Sequence, residues 1–333
     1  MEKLNIVVIG LGSMGKRRTR IVRSLYPEFC VFGVDMSAER RRAFVDEFSL
    51  PVYASLAEAM ENRKIDAAII STSPLAHGEI ANECLCYGLH VFTEINLQPS
   101  KYEDNMQLAQ VNHVKFFLSS TFLYRKETQF IHQEVKAVKE PLAYMYHVGQ
   151  YLPDWHPWED YRNYFVAKRE SNACRELFAI EMPWLINTFG KIESLQVISD
   201  KMSHLDLPYH DNYMVIIKHV GGHKGVLAVD VVSREAVRDF CVYGEHLFIK
   251  WDGTPHGLQK KNLDNGELKP IQLYEQEMAR HDDNYSRNII ENAYESEIKA
   301  FVSAISDGKK PVYGYSDDVE TLSWIDKIEE GME

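Results

Sequence analysis

The chain has 333 residues, 45% of them apolar, enough to bury a sizeable core, and its length suggests two domains. Its 37 Lys and Arg against 49 Asp and Glu leave a net charge of -12, which disfavours non-specific attraction to nucleic acid or to an anionic membrane and points to a small-molecule partner. Five scattered cysteines in a chain too large to need disulfide staples, no apolar run near the roughly 20 residues of a membrane span, and an opening almost directly on an apolar strand set the expectation of a soluble protein of the reducing cytoplasm.

In chain order, short apolar runs first alternate with amphipathic ones. They are "NIVVIG", a helix from Met14, "CVFGVD", a helix from Ala38, "DAAIIST", a helix over 76–88, "HVFTEI", a helix opened by the capping-box pair Ser100 and Glu103, and "KFFLSS". That alternation predicts a parallel sheet covered on both faces. Near residue 122 the rhythm changes to longer alternating runs broken by turn residues: "YMVIIKHV" and "VLAVDVVSR" across a glycine turn, then "RDFCVYGEHLFIKW" and "NLDNGELKPIQL". The expected fold is therefore α/β, with a doubly wound parallel sheet over residues 1–122 and an α+β domain over 123–333 built on a large, mostly antiparallel open sheet. Helices expected over 126–138, 174–189, 286–306 and 316–329 pack on the single buried face of that second sheet.

The first chemical motif is "VVIGLGSMG", which places Gly10, Gly12 and Gly15 as GxGxxG between a strand and a helix, with Asp35 ending the second strand twenty residues after Gly15. Gly10 permits the tight turn, Gly12 lets backbone approach a pyrophosphate, and Gly15 lets helix and strand pack closely. The helix start at Ser13 and Met14 faces the anion. Asp35 would accept from the adenosine ribose hydroxyls and repel a 2'-phosphate, which favours NAD, while Ser37, Arg40 and Arg41 leave NADP as the alternative. The basic run "KRRTR" at 16–20 adds positive potential near the phosphates or forms a solvated helix face, the commoner use of such a run.

Further strand ends point the same way. Ser71, Thr72, Ser73 and Pro74 follow a strand at the edge where open parallel sheets bind ligands, and are expected to line the cofactor. His77, on the next helix, serves as a cofactor contact or as a capping or packing histidine. "VFTEINL" ends a buried strand on Glu94, a candidate for orienting the cofactor, with Ile95 and Asn96 after it and no basic residue beside it. No zinc, calcium or P-loop pattern is present, so no metal is expected.

The glycine fingerprint, the strand end followed by His77, "GLHVFTE", the pair Tyr124 and Arg125 after "KFFLSSTFL", and "VVSREAVRD" in the C-terminal part together resemble the glucose-fructose oxidoreductase / inositol dehydrogenase / MocA (Gfo/Idh/MocA) family over nearly the whole chain. The resemblance implies an NAD(P)-dependent oxidoreductase of sugars, amino sugars or nucleotide sugars, with a Rossmann domain followed by an α/β domain whose open sheet supports a homodimer or homotetramer. It also exposes two departures. The family reads Glu-Lys-Pro where this chain has Glu94, Ile95 and Asn96, and its proton-transferring lysine is therefore absent. On a helix of the second domain the family's Asp, His and Asp fall on Glu176, Ile180 and Pro183, and a one-residue change of register brings Glu181 into play.

Substitutes for that chemistry are sought in "QYLPDWHPWEDYRNYF", residues 150–165. Trp155 and Trp158 offer faces to a sugar ring, and Glu159, Asp160 and Arg162 offer hydrogen bonds to its hydroxyls; the plainer use of the tryptophans is to pin the loop. His156 titrates near neutrality and is the leading candidate base, with Glu176 and Tyr161 as competitors. Arg125 would clamp a substrate carboxylate or phosphate, or pair with an acid on the surface, and His210 would contact substrate from a strand entry. Arg234 and Arg238 are expected in ion pairs between domains or subunits. The alternative to an enzyme is a cofactor-binding sensor or scaffold that has lost turnover.

Overall fold

The computed structural model describes residues 3–157, 159–274, 279 and 290–331. The chain divides into two compact units, Met1–Ser120 with Tyr294–Val319, and Thr121–Ala293 with Glu320–Glu333. The expected single break near residue 122 thus misses a return of the chain to the first unit.

The first unit alternates β1 (Asn5–Ile9), α1 (Ser13–Leu25), β2 (Cys30–Val34), α2 (Ala38–Phe48), β3 (Val52–Tyr53), α3 (Leu56–Asn62), β4 (Ala67–Ile70), α4 (His77–Cys86), β5 (His90–Thr93), α5 (Tyr102–Val111) and β6 (Phe116–Leu118). The strands form one parallel sheet in the order β3-β2-β1-β4-β5-β6. Near-continuous apolar strands are what a sheet covered on both faces requires, and Val7, Val8, Ala67, Ile69 and Phe92 are fully buried. The two-residue β3 and short α3 carry too few apolar positions to produce a periodic signal, and neither was expected. The capping box at α5 does not form: Lys101 precedes the helix at φ 56°, and no side chain caps it.

The returning segment packs on this sheet through aromatic rings. Phe301 meets Phe92 and Phe117 edge-on at 5.6 and 5.7 Å, and Tyr315 stacks on Phe116 at 3.6 Å. Tyr315 also shares a 2.7 Å hydrogen bond with Thr93, and Tyr102 and Tyr313 donate to the two oxygens of Asp318.

The second unit holds α6 (Lys126–Ala137), β7 (Ala143–Gly149), α7 (Ala173–Phe189), β8 (Ile192–Asp200), β9 (Asn212–His219), β10 (Lys224–Asp230), β11 (Val237–Tyr243), β12 (Phe248–Trp251), β13 (Gln259–Lys261) and β14 (Leu268–Pro270). Two further helices follow, α8 (Glu291–Ser306) and α9 (Tyr315–Glu330), each with residues in both units. The eight strands order as β14-β13-β12-β11-β7-β10-β9-β8, antiparallel throughout except for β7 beside β10. On the buried face Tyr144, Tyr146 and Phe240 pack against Trp184 and Phe189 of α7, with Tyr144 stacked on Phe189 at 4.4 Å. No helix among the described residues is long and apolar enough to cross a membrane.

Candidate functional site

The glycine loop after β1 shows three different steric demands. Gly10 has φ +90°, and a Cβ there would sit 2.6 Å from the Ser71 carbonyl oxygen; a Cβ on Gly15 would sit 1.9 Å from the Gly10 carbonyl oxygen. Gly12 has nothing within 4 Å of its would-be Cβ. Two glycines therefore serve the fold, and the middle one borders open space at the start of α1. That helix carries no side-chain cap and no acid in its first turn, a helix start of the kind that suits an anion. Asp35 fixes the loop by accepting from Leu11 N–H through Oδ2 and from Ser37 N–H through Oδ1, both at 2.8 Å. Exposed Arg40 lies 3.8 Å from the same carboxylate, and Arg41 donates to the carbonyls of Asp35 and Met36.

Ser71, Thr72, Ser73 and Pro74 line the end of β4, partly or fully exposed. His77 is buried, with Nε2 3.1 Å from the Thr72 carbonyl oxygen and Nδ1 2.8 Å from the Asn96 side chain. Burial lowers its pKa, so the ring is neutral and has a single N–H. Both neighbours are oxygens, Asn96 Oδ1 and the Thr72 carbonyl, so the single ring N–H donates to one of them, and the tautomer decides which. His77 thus ties Asn96, after β5, to Thr72, at the end of β4.

Glu94 does have a cation beside it. Arg18, fully buried on α1, donates from Nε to Glu94 Oε1 at 2.6 Å and from Nη2 to Glu94 Oε2 at 2.8 Å and to Glu297 Oε2 at 2.7 Å. Its guanidinium also lies over the rings of Phe92 and Tyr294, 4.6 and 5.1 Å from their centroids. Burial opposes the charge of Arg18, but the two carboxylates outweigh it and the pKa rises. Burial raises that of Glu297, although Arg18 counteracts it. Ser119 Oγ and Ser120 N–H complete the shell of Glu297. The reading of "KRRTR" as a solvated face is overturned for Arg17 and Arg18, 2% and 0% exposed.

In the second unit the His156 ring is half-buried and stacks on Tyr164 at 5.0 Å and 30°. Burial lowers its pKa, with Glu159 acting the other way. Glu176, in the first turn of α7, is partly buried, and burial alone raises its carboxyl to about 7. Among the described residues no side-chain hydrogen bond or ion pair reaches that carboxyl. Glu176 and Ile180, one helical turn apart, both lie on the partly open side of α7, whereas Glu181 and Pro183 are buried.

Several expected substrate contacts are placed otherwise. Glu181 is an internal acceptor for Tyr146 Oη, Trp184 Nε1 and Arg238 Nε at 2.7, 2.8 and 2.8 Å, because burying a carboxylate requires that its lone pairs be filled. Arg125 is also buried, forked onto Glu127 and bonded to the Gly253 carbonyl oxygen, rather than clamping a ligand or meeting an acid at the surface. Arg238 therefore serves the interior of its own unit, and Arg234 lies over the Tyr151 ring. Exposed Asp160 and Arg162 pair with each other, Trp155 Nε1 donates to the Gln150 carbonyl oxygen, and Glu159 is exposed. The Tyr161 hydroxyl accepts from Asp206 N–H, and His210 shares a hydrogen bond with Ser199. Trp158 lies outside the described residues.

Residues 4–120 match the Gfo/Idh/MocA family model, described as an oxidoreductase family with an NAD-binding Rossmann fold. That segment is a Gfo/Idh/MocA nucleotide-binding domain. Solved structures extend the likeness over both units. UDP-N-acetylglucosamine 3-dehydrogenase from Acidithiobacillus ferrooxidans aligns with TM-score 0.75 at 16% identity, covering 99% of this chain and 98% of that one. An oxidoreductase from Agrobacterium radiobacter, in complex with NAD+, L-tartaric acid and magnesium, aligns with TM-score 0.76 at 13% identity over 99% and 96%. Biliverdin reductase from Synechocystis, in complex with biliverdin and NADP+, aligns with TM-score 0.73 at 15% identity over 98% and 98%. At such identities the likeness is one of fold. A comparison with curated proteins found no match.

The Gfo/Idh/MocA domain fits its family's cofactor on local grounds: open space at Gly12, uncapped N–H groups on α1, and a carboxylate fixed at Asp35 with lone pairs to spare. Gly10 to Gly15 would hold the pyrophosphate and Asp35 the adenosine ribose. Sequence reasoning missed the roles of Arg18, Asn96 and Glu297. Arg18 and Glu297 lie 279 residues apart, beyond the reach of any local pattern, and each looks like a surface charge when read alone.

Proposed function

We propose that the chain is an NAD(P)-dependent oxidoreductase acting on the CH–OH group of a sugar, amino sugar or nucleotide sugar, and that Glu176 takes or returns the hydroxyl proton. A bound nicotinamide supplies or accepts the hydride in such chemistry. The single observation that carries the reading is the Glu176 carboxyl, raised to about 7 by burial and lying on the partly open side of α7. A group that is half-protonated near neutrality is suited to both acid and base roles, and among the described residues no side chain bonds to it. The same pKa reasoning ranks Glu176 above His156, whose burial-depressed pKa weakens it as a base. The name of one structural neighbour, UDP-N-acetylglucosamine 3-dehydrogenase, supports the substrate class at the level of fold only.

Incubation with NAD or NADP and a panel of sugars and nucleotide sugars tests the proposal through the ultraviolet absorbance of reduced nicotinamide. Reduction by at least one member supports it. Cofactor binding without reduction by any member favours the sensor or scaffold reading.

We also propose a homo-oligomer formed through the outward face of the second sheet. Cys241, Met145, Val226 and Ile216 are successive cross-strand partners there, and exposed Met214 and Ile198 pair in the neighbouring row, an apolar stripe of the kind that mates with another protein surface.

A further inference from the structure

The strand order β3-β2-β1-β4-β5-β6 reverses between β1 and β4, the crevice across which a dinucleotide binds at the carboxyl ends of the strands. Asp35, after β2, belongs to the half that would take the adenosine. The ends of β4 and β5 belong to the half that would take the nicotinamide, and there the chain presents a carboxylate. The Glu94 side chain is 12% exposed, and Ser71 Oγ, beside the Gly10 turn, reaches its Oε1 at 3.4 Å. Ile95 and Asn96, which follow it, carry no charge.

Glu94 belongs to a group of unequal charge. One guanidinium, that of Arg18, serves two carboxylates, Glu94 and Glu297, and all three residues lie within the first unit. Every carboxylate oxygen accepts from a donor: Glu94 Oε1 and Oε2 from Arg18 Nε and Nη2, Glu297 Oε2 from the same Nη2, and Glu297 Oε1 from Ser119 Oγ and Ser120 N–H. Donors on both oxygens hold both acids in the ionised form. The trio therefore carries one negative charge in excess. Arg17, the neighbouring cation on α1, lies over the Tyr294 ring, 4.7 Å from its centroid. Arg18 and Glu297 are fully buried, so little water screens the excess charge.

An oxidised nicotinamide ring is a cation, and a reduced one is neutral. We propose that the Glu94 carboxylate, with the excess charge of the Arg18 trio behind it, selects the oxidised form of the bound dinucleotide over the reduced form. Affinity for NAD+ is raised while that for NADH is left nearly unaltered, and by linkage the same factor makes bound NADH the stronger hydride donor. The inference rests on the oxidoreductase reading only in that the chain holds a nicotinamide dinucleotide; it is independent of the residue that carries the proton and of the substrate.

The test is calorimetry on the full chain with NAD+, NADH and ADP-ribose, the last of which lacks the nicotinamide. Glu94→Gln keeps the size of the side chain, and Arg18 retains Glu297. That variant lowers the affinity for NAD+ relative to that for NADH by about tenfold, the order expected of one partly screened charge, and leaves ADP-ribose binding unchanged. Glu297→Gln removes a unit charge from the other side of Arg18, shifts the ratio in the same sense, and serves as the test where Glu94→Gln does not fold. An unchanged ratio in the folded variant, or a loss that ADP-ribose shares in full, overturns the proposal. A chain that binds neither form of the dinucleotide overturns it together with the cofactor reading. A shifted ratio in a chain that oxidises no sugar sustains the selection and refutes the CH–OH reading alone.

Discussion

The Arg18 guanidinium lies flat against Glu94, with Nε 2.6 Å from Oε1 and Nη2 2.8 Å from Oε2, and the same Nη2 reaches Glu297 at 2.7 Å. A carboxylate at the end of β5 is thus held by a cation from α1, the helix that begins at the glycine loop. Removal of one partner from a buried ion pair leaves uncompensated charge and costs about 3 to 5 kcal/mol. Arg18→Met should destabilise the protein by that order in urea unfolding, less at pH 5 than at pH 8, because the released carboxyls relieve the cost by taking up protons. Arg18→Lys should recover only part of the loss, since an ammonium cannot fork onto Glu94 while reaching Glu297. A wild-type unfolding midpoint in Arg18→Met would show that the cluster carries no stability.

Gly12 and Gly15 should separate binding from folding. Gly12→Val introduces a side chain into space that is open within the protein, so calorimetry should find NAD binding abolished at an unchanged melting temperature. Gly15→Ala drives a Cβ against the Gly10 carbonyl oxygen and should lower the melting temperature. Retained NAD affinity in Gly12→Val would place the pyrophosphate elsewhere.

The alternation of the first 120 residues and the glycine fingerprint could be read from sequence because each is a local pattern: apolar strands buried on both faces, and glycines at fixed offsets from a strand end. The Arg18, Glu94 and Glu297 cluster could not, since it joins three elements far apart in the chain. Glu181 and Arg125 misled for a related reason. A charged residue in sequence reads as available, and only the fold reveals that Tyr146, Trp184 and Arg238 surround the one, and Glu127 and Gly253 the other. β7 and β8 escaped notice although each runs at least seven residues, because exposed and buried positions on them mix polar with apolar side chains.

Glu176 should make stability depend on pH. Its folded pKa is raised from 4.5 to about 7, so the native state binds the proton more tightly than the unfolded chain, and stability falls as pH rises from about 4.5 to about 7. The full shift corresponds to roughly 3 kcal/mol, trimmed by the side chain's partial exposure. Glu176→Gln should therefore be more stable than wild type at pH 8, with the gain fading toward pH 4. An equal difference at both pH values in paired urea titrations would refute the raised pKa.

Ile216→Asp, at the centre of the outward stripe of the second sheet, should convert the oligomer to monomer in analytical ultracentrifugation, because association would bury an unpaired carboxylate. A wild-type protein that sediments as a monomer at micromolar concentration would refute the assembly.

The central claim, that proton chemistry in this fold has moved to Glu176 in the absence of a lysine at position 95, is tested most directly by the pH dependence of nicotinamide reduction with whichever sugar the protein oxidises. Wild-type kcat should rise with pH through a midpoint near 7, the ionisation of the Glu176 carboxyl, and level off above it. Glu176→Gln should lose about two orders of magnitude in kcat together with that inflection, while NAD affinity is preserved. A Gln variant with wild-type turnover and an unaltered pH profile would contradict the account.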